Sequence, residues 1–266
     1  MEDTLDTYLK EENVIGIYGV DTRQLTKILR EEGTMNARVS KKRLTEEEVK
    51  AMAAYSIENA VVAVSENEKG FYQTKNAKYT LALWNFGVKQ STINNLLAQG
   101  CTVITMPATA TAEEMLATGA HAIVLSDGAG NPAENTAIIE EIKKIVGKKP
   151  VLGLGLGHQL LALALGATTT KHKYGHRGGN QPVKCLADGK VYISTQNHGY
   201  DVVSSSVTAG KVSFINVNDN SCEGIEYENC NAISVQFVPE ACNIGNEVNP
   251  VYNKFFAMIE KEKENA

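Results

Sequence analysis

Short apolar runs alternate with amphipathic segments through the middle of the chain. Four runs predict strands: YTLALWNF at 79–86, CTVITM at 101–106, HAIVLS at 121–126 and PVLGLGL at 150–156. The segments between them carry apolar residues at helical spacing, as in HQLLALALG at 158–166. Strands that are buried on both faces and separated by helices imply a parallel sheet. We therefore predict an α/β fold with a mostly parallel twisted sheet flanked by helices.

The pattern changes after Gly166, where helical spacing gives way to strand-like stretches. Four of these predict strands that extend the sheet with antiparallel members: KVYISTQNH at 190–198, KVSFINV at 211–217, CEGIEYE at 222–228 and NAISVQF at 231–237. A final helix is predicted over 250–263. Ligands of such sheets bind at the carboxyl ends of the strands, which directs attention to 126–131, 155–159 and 236–240.

The first 75 residues are more charged and more helical than the rest, and they are predicted to form a separate domain. Asp21 and Thr45 are typical N-cap residues, and each precedes a segment with a helical apolar face. The polar stretch 65–76 is interpreted as a linker. The predicted domains are therefore 1–75 and 76–266.

Composition and charge exclude some classes of function but do not identify one. Of the 266 residues, 43% are hydrophobic and 21% are charged, which are ordinary globular values, and the net charge is −5. A mild negative charge gives no general attraction to nucleic acid or to anionic membranes, and no apolar run reaches the roughly 18–20 residues of a membrane span. The acidic N-terminus does not resemble a secretory signal, so we expect a cytoplasmic setting.

The five cysteines are scattered and never occur in C-x-x-C spacing. This pattern suggests neither a disulfide framework nor a zinc site, and no metal or cofactor is predicted from the sequence. Three of the five histidines, His121, His172 and His176, are interpreted as structural or solvated.

The strand-to-helix junction from Gly155 to Gln159 is the sharpest local feature. A tight turn of this kind raises one side chain above the sheet edge and directs backbone N–H groups at it. Enzymes place a nucleophile there, but here the elbow position is Gly155. Two other interpretations compete: a phosphate loop, which fails because His158 occupies the third glycine position of G-x-G-x-x-G, and a turn that only packs a helix closely on a strand.

Five stretches spread over nearly the whole chain share one family resemblance. They are GVDTRQLTKILREEGTMNA at 19–37, LWNFGVKQSTINNLLAQGC at 83–101, VLSDGAGNPAE at 124–134, PVLGLGLGHQLLALALGA at 150–167, and KYGHRGGNQPVKC with STQNHGYDV within 173–202. Together they resemble the class I glutamine amidotransferases, and most closely the small, glutamine-hydrolysing subunit of carbamoyl-phosphate synthetase. That subunit has a further β-rich portion before the first stretch, so 1–75 is expected to be a remnant of its N-terminal domain plus a linker, in a shortened form of the chain.

The resemblance implies hydrolysis of glutamine to glutamate and ammonia, with the ammonia passing to a large synthetase subunit. In that family a Cys attacks the amide carbonyl, a His moves the proton and a Glu orients the His. The Cys position falls on Gly155 and the His position on Val238, whereas the Glu position is retained as Glu240. Because Gly155 cannot form a thioester and Val238 cannot transfer a proton, we predict that this chain lacks glutaminase activity.

The resemblance also implies a substrate pocket. Backbone groups of Gly128 and Gly130 would contact glutamine, and the Leu156 N–H would point into the oxyanion hole. Four residues would line the amino-acid end of the pocket: Gln159, Asn197, Gly199 and Tyr200. Asp127, Ala129 and Asn131 depart from the Asn, Pro and Asp that are usual in the loop of this family.

Three functions are compatible with these observations. The first is a non-catalytic small-subunit homologue that stabilises or regulates a large synthetase subunit using free ammonia. The second is a glutamine sensor that binds without hydrolysing. The third is a residual amidohydrolase in which Glu240 works with His158 or His198, and in which Cys101 or Cys242 is a weaker substitute for the lost nucleophile. No cofactor, nucleic acid or membrane partner is implied.

Overall fold

The chain divides into two compact units in a computed structural model that describes residues 4–243 and 250–265. The units comprise residues 1–55 and 56–266. Residues 56–75, which the sequence places with the N-terminal domain and linker, cluster with the second unit. The predicted boundary between an N-terminal domain at 1–75 and an amidotransferase-like domain at 76–266 stays a prediction.

In its described residues, 4–55, the N-terminal unit consists of three short helices and their connections. The helices are α1 (Leu5–Glu11), α2 (Thr22–Glu32) and α3 (Glu46–Ala54). Both predicted caps are confirmed: the Asp21 carboxylate accepts a hydrogen bond from Gln24 N at 2.9 Å, and Thr45 forms a capping box with Glu48. These side chains satisfy backbone N–H groups that the first helical turn leaves without partners. No residue of the three helices is buried, so their apolar side chains remain available to other surfaces.

The second unit is built from strands and helices of the predicted kinds. Its strands are β1 (Gly70–Tyr72), β2 (Tyr79–Phe86), β3 (Cys101–Pro107), β4 (Ala122–Gly128), β5 (Val151–Leu154), β6 (Thr169–Cys185), β7 (Val191–Val202), β8 (Lys211–Asn216), β9 (Cys222–Tyr227), β10 (Ala232–Val235) and β11 (Val238–Asn243). Its helices are α4 (Ala60–Val64), α5 (Gln90–Ala98), α6 (Ala112–Ala117), α7 (Thr136–Ile145), α8 (Leu156–Ala164) and α9 (Pro250–Asn265), with short 3₁₀ turns at Pro132–Glu134, Ser204–Ser206 and Glu228–Cys230. In the described ranges, no helix combines the length and the apolar character that crossing a membrane requires.

All of these strands belong to one sheet within the described residues, in the order β1-β3-β2-β4-β5-β10-β9-β8-β6-β7-β11. The α/β class is confirmed, but the sheet is mixed rather than mostly parallel. The pairings among β3, β2, β4, β5 and β10 are parallel, and every other pairing is antiparallel. The connections explain this difference. Helices connect the early strands, whereas turns connect the consecutive strands from β6 through β10. A short turn can join two neighbouring strands only if they are antiparallel.

Two apolar cores cover the two faces of the sheet. Successive side chains of a strand point to opposite faces, so Leu81 and Leu83 of β2 belong to one core and Ala82 and Trp84 to the other. The first core also contains residues of α5 and α9, and the second contains residues of α6, α7 and α8. Burial on both faces explains why the early strands read as nearly continuous apolar runs.

The interpretation of 65–76 as a linker is wrong for part of that stretch. β1 pairs antiparallel with β3, with Phe71 opposite Ile104, and it forms one edge of the sheet. Gly70 N also donates to Thr105 Oγ1 at 3.0 Å. A strand of three residues at the edge of a sheet needs few apolar side chains. The polar residues on either side of β1 therefore leave no apolar run from which the strand could be predicted.

The glycine at the second position of α8 allows this helix to lie close to the sheet. A Cβ on Gly157 would overlap the carbonyl oxygen of Leu125 in β4 and would lie 2.7 Å from the Leu125 Cβ. Close packing of a helix on a strand, one of the interpretations of the glycine-rich turn, is therefore confirmed for Gly157.

We expect the substitution Gly157→Ala to lower the free energy of unfolding by about 1–3 kcal/mol, because the added methyl group meets backbone that cannot move aside. Urea denaturation of both proteins measures the difference. Gly179→Ala is the matched control, since a Cβ there would meet only Thr195 Oγ1, at an ordinary 3.6 Å. Equal stability losses in the two variants would contradict the packing role of Gly157.

Candidate functional site

The elbow between β5 and α8 keeps the backbone shape of a nucleophile turn but carries no side chain. Gly155 has φ 52° and ψ −110°, in the left-handed region that favours glycine. Its N–H donates to Val235 O at 2.9 Å, which attaches the turn to the neighbouring strand β10. The N-terminus of α8 follows directly, so backbone N–H groups without helical partners face this point.

The carboxylate of Asp127 occupies the space that an elbow side chain would need. A Cβ on Gly155 would overlap Asp127 Oδ1 and Cγ, and it would lie 3.1 Å from the Asp127 Cβ. The same Oδ1 accepts hydrogen bonds from Leu156 N at 3.1 Å and from Gly128 N at 2.8 Å. The second carboxylate oxygen lies 3.6 Å from Lys89 Nζ. An internal anion therefore uses two amides that the resemblance assigns to the reacting glutamine, one of them to the oxyanion hole.

A small cavity adjoins the elbow. It is lined by Asp127, Gly155 and the segment 236–240, together with Lys89 and Thr92, and its volume is about 10 Å³. A space of roughly 10–15 Å³ holds a single water molecule. In this conformation the cavity cannot accept a glutamine side chain.

The three positions that the resemblance assigns to a catalytic triad, Gly155, Val238 and Glu240, lie around this one cavity. Glu240 Oε1 accepts a hydrogen bond from Thr92 Oγ1 at 2.5 Å, and its Oε2 accepts one from Tyr252 OH at 3.2 Å. Burial, assisted by the nearby Glu240 carboxylate, holds the pKa of Tyr252 well above its usual value. Val238 contributes only an aliphatic side chain. Glu240 is thus bonded to hydroxyl groups where the family motif would supply an imidazole.

The structure does not gather the predicted substrate residues around one cavity. Gly128 and Leu156 lie together at the Asp127 carboxylate, whereas Gly130 packs against Ala60 and lines a separate cleft of about 360 Å³.

The predicted residues of the amino-acid end, Gln159 from α8 and Asn197, Gly199 and Tyr200 from β7, lie in a third place. Gln159 donates through Nε2 to Tyr200 O at 2.6 Å and to Gln236 Oε1 at 2.7 Å, so its amide protons are already used. Gly199 precedes Tyr200 and approaches the Arg177 guanidinium, and Asn197 is exposed.

None of the substitute groups proposed from the sequence lines the elbow cavity within the part of the chain that the structure describes. Cys101 is fully buried, and burial raises the pKa of its thiol to about 12. His158 is also fully buried, with Nδ1 at 2.8 Å from Ser234 Oγ, and burial lowers its pKa to about 3. The side chain of Cys242 lies outside the described residues. The position of His198 is different, because it belongs to a cluster of histidines and acids near β6 and β7.

Two features of the site are not predictable from the sequence patterns. One is the position of the Asp127 carboxylate, although Asp127 is an unusual residue in its loop. The other is the clustering of His176 and His198 with Gln196 and Glu223. The pairing of β6 with β7 that juxtaposes the two histidines follows from a long irregular hairpin, which single-sequence periodicity does not predict.

The elbow, the sheet and the flanking helices define a class I glutamine amidotransferase domain. The profile of the family described as "Glutamine amidotransferase class-I" matches residues 82–258, and the profile described as "Carbamoyl-phosphate synthase small chain, CPSase domain" matches residues 1–39. A solved structure of a GMP synthase subunit from Thermoplasma acidophilum superimposes with a TM-score of 0.59 and 19% identity, over 70% of this chain and 96% of that one. This likeness shows the fold alone.

Curated relatives identify the family more narrowly. The carbamoyl phosphate synthase small chain of Clostridium perfringens is 42% identical over 94% of this chain and 71% of its own length. The pyrimidine-specific small chain of the same enzyme from Bacillus subtilis is 40% identical over 98% of this chain and 72% of its own length. The chain belongs to the carbamoyl phosphate synthase small-chain family.

We expect Gly155→Cys to lower the melting temperature, because the new Cβ meets the Asp127 carboxylate in a turn that is already left-handed. The combined cost should be about 1–3 kcal/mol. Removing the carboxylate in Gly155→Cys/Asp127→Ala should recover part of the loss, with a coupling energy of about 0.5–3 kcal/mol in a double-mutant cycle.

Two controls separate the causes. Gly155→Ala should cost as much as Gly155→Cys if the Cβ rather than the thiol is responsible. Gly189→Ala reports the left-handed backbone alone, since Gly189 has φ 76° and a methyl group there would meet no atom within 4 Å. A coupling energy of zero between positions 155 and 127 would show that the carboxylate does not obstruct the elbow.

Proposed function

We propose that this chain is a small-chain homologue that has lost glutamine hydrolysis and acts as a structural or regulatory partner of a large synthetase subunit that uses free ammonia. The observation that carries the proposal is the Asp127 carboxylate, which takes the elbow space and the amide donors at the same time. A nucleophile, a base and a free oxyanion hole are therefore missing at once.

The first two requirements are the nucleophile and its base. Thioester formation needs a thiolate on the elbow, and Gly155 has no side chain. In a hydrolase with a comparable triad, removing the nucleophile lowers turnover by about 10⁶-fold. Direct attack by water would need a base, and Val238 stands where the family has its imidazole.

The third requirement is a free oxyanion hole. An oxyanion forming at a substrate carbonyl needs N–H groups that are not already bonded to another anion. Losing one such donor costs about 10²–10³-fold in turnover. Here Leu156 N and Gly128 N both donate to Asp127 Oδ1, so a substrate oxygen would have to displace a resident carboxylate.

A partner role is supported by the family and by the surface of the N-terminal unit. The relatives bear the name small chain, which in general implies a large chain. Several large apolar residues within the segment matched by the small-chain profile are exposed, among them Ile15 at 83% and Tyr18 at 97%. These exposed apolar side chains are candidates for a contact with a partner chain.

A glutamine sensor is the weaker candidate. It is motivated by the contact of Gln159 with Tyr200, but the amide of Gln159 is already bonded inside the protein and the elbow cavity is too small. A residual hydrolase based on Glu240 has less support, since His158 is sealed against Ser234 and His198 does not line the cavity.

We expect the purified chain to release no glutamate from glutamine above the rate without protein, both alone and with the large subunit from the same organism. A coupled glutamate dehydrogenase assay measures the rate. The same large subunit should form carbamoyl phosphate from ammonium, and the presence of this chain should alter its stability or its ammonium-dependent rate. Glutamine turnover by the wild-type chain, or failure of the two chains to associate on gel filtration, would contradict the proposal. Calorimetry with millimolar glutamine tests the sensor alternative separately.

Restoration of covalent chemistry should need three substitutions together. The variant Gly155→Cys/Asp127→Asn/Val238→His should react with a diazoketone analogue of glutamine, seen as an added mass on the intact protein. Gly155→Cys alone is the control and should remain unlabelled, because it has neither a base nor a free oxyanion hole. Equal labelling of the single and triple variants would mean that neither Asp127 nor Val238 limits the reaction.

A further inference from the structure

Four side-chain atoms with lone pairs converge inside the antiparallel half of the sheet. They come from β6, β7 and β9, and we call them the convergent cluster: His176 Nδ1, His198 Nε2, Glu223 Oε1 and Gln196 Oε1. His176 Nδ1 lies 3.2 Å from His198 Nε2 and 3.4 Å from Glu223 Oε1, and His198 Nε2 lies 2.8 Å from Gln196 Oε1. The cluster is buried, with Glu223 fully inaccessible and Gln196 at 2% exposure.

Hydrogen bonds outside the cluster determine which atoms can carry protons. His198 Nδ1 lies 3.0 Å from Tyr200 O, which can only accept, so this nitrogen carries a proton. His176 Nε2 lies 2.8 Å from Asp219 Oδ2 and carries the proton of its ring for the same reason. When both rings are neutral, the other two ring nitrogens, which face each other, are both acceptors.

The orientation of Gln196 adds a third acceptor. Ser194 Oγ donates its only proton to Gln181 O at 2.9 Å, so it can only accept from Gln196 Nε2 at 3.1 Å. This contact turns the Gln196 carbonyl oxygen towards His198. With neutral rings, the four acceptors have no donor among themselves, and Glu223 Oε1 accepts from one group outside the cluster, Asn216 Nδ2, at 3.2 Å.

The carboxylates in and around the convergent cluster lack a counter-charge among the described residues. Glu223 is fully buried, and its Oε2 has no hydrogen-bond partner among the described residues. The cations that the structure places within ion-pairing distance of Asp201, Asp219 and Glu223 are imidazoles, in the described part of the chain. Buried carboxylates need a counter-charge, and neutral imidazoles do not supply one.

We propose that the convergent cluster binds a divalent transition cation of the Zn²⁺ class. Zinc takes imidazole nitrogen at about 2.0–2.1 Å and carboxylate oxygen at about 2.0–2.2 Å in tetrahedral sites, which puts neighbouring ligand atoms about 3.3–3.5 Å apart. The separations of 3.2 and 3.4 Å around His176 Nδ1 agree with this geometry, whereas the 2.8 Å between His198 Nε2 and Gln196 Oε1 is shorter. The Gln196 oxygen would therefore have to move by about 0.5 Å to act as the fourth ligand. Asp219 and the Tyr200 carbonyl then hold the outer N–H groups of the two imidazoles, as outer partners of metal-bound histidines do.

A neighbouring group of residues is less suitable as a metal site. His172 lies 3.3 Å from Asp219 through its Nε2, but its Nδ1 accepts from Gly175 N at 3.0 Å and from Tyr174 N at 3.3 Å. The Nε2 atom of a neutral His172 therefore carries the ring proton and cannot coordinate a cation. This difference makes His172 a matched control for His176, which lies four residues further along β6.

In the competing arrangement, the His176 ring is protonated and no metal ion is bound. Although burial opposes a charged ring, hydrogen bonds to Glu223 and Asp219 raise the pKa of His176 to about 9. A protonated His176 would donate to the cluster in place of a metal ion. The two arrangements differ in metal content and in their response to a chelator.

Metal analysis of the full chain purified from zinc-supplemented medium tests the proposal. We expect about one zinc ion per chain, a lower melting temperature after treatment with a chelator, and the intense visible absorption of tetrahedral Co²⁺ when cobalt replaces zinc. Glu223→Gln and His176→Gln should weaken zinc binding by roughly 100-fold or more, whereas His172→Gln should leave it unchanged.

Gln196→Glu provides a test that does not depend on a destabilised variant, since a carboxylate in place of the amide oxygen should tighten zinc binding. A metal-free protein that ignores the chelator would overturn the proposal in favour of the protonated cluster. Stoichiometric zinc that survives in both Glu223→Gln and His176→Gln would overturn it as well, because the ion would then lie elsewhere.

Discussion

The contact between the Asp127 carboxylate and the amide groups of Gly128 and Leu156 is the interaction on which the character of this site depends. It exists only because the elbow residue has no Cβ: any other side chain at position 155 would compete for the same space. The positive end of helix α8 is therefore neutralised from within the protein. The fold of an amidotransferase is retained, while the point at which its chemistry would occur is filled by one of its own side chains.

The two halves of the sheet have different roles. The parallel half, connected by helices, creates the elbow at the carboxyl end of β5 and surrounds it with two apolar cores. The antiparallel half, connected by turns, brings polar residues of β6, β7 and β9 together in a buried cluster. Gln159 in α8 joins the halves through its hydrogen bonds to Tyr200 O and Gln236.

Local features of the fold could be predicted from the sequence because neighbouring residues determine them. Asp21 and Thr45 cap helices through contacts three residues away, and β2 to β5 are visible as apolar runs. The positions of Gly155, Val238 and Glu240 around one cavity follow from the ordered motifs. Features that depend on distant residues or on side-chain rotamers could not be predicted from the sequence. The strand β1 pairs with β3, which lies about thirty residues further along the chain. The orientation of the Asp127 side chain depends on the shape of its loop, which hydrophobic periodicity does not predict.

The internal carboxylate also couples the side chains that positions 127 and 155 can carry. A Cys at position 155 would meet a steric conflict with Asp127, and loss of the Asp127 carboxylate alone would leave the helix end without its anion. An imidazole at position 238 would have no thiol to activate. Each of these single substitutions meets a steric conflict, an unneutralised helix end or a missing partner, so the structure accommodates a new side chain at one of these positions only together with a change at another.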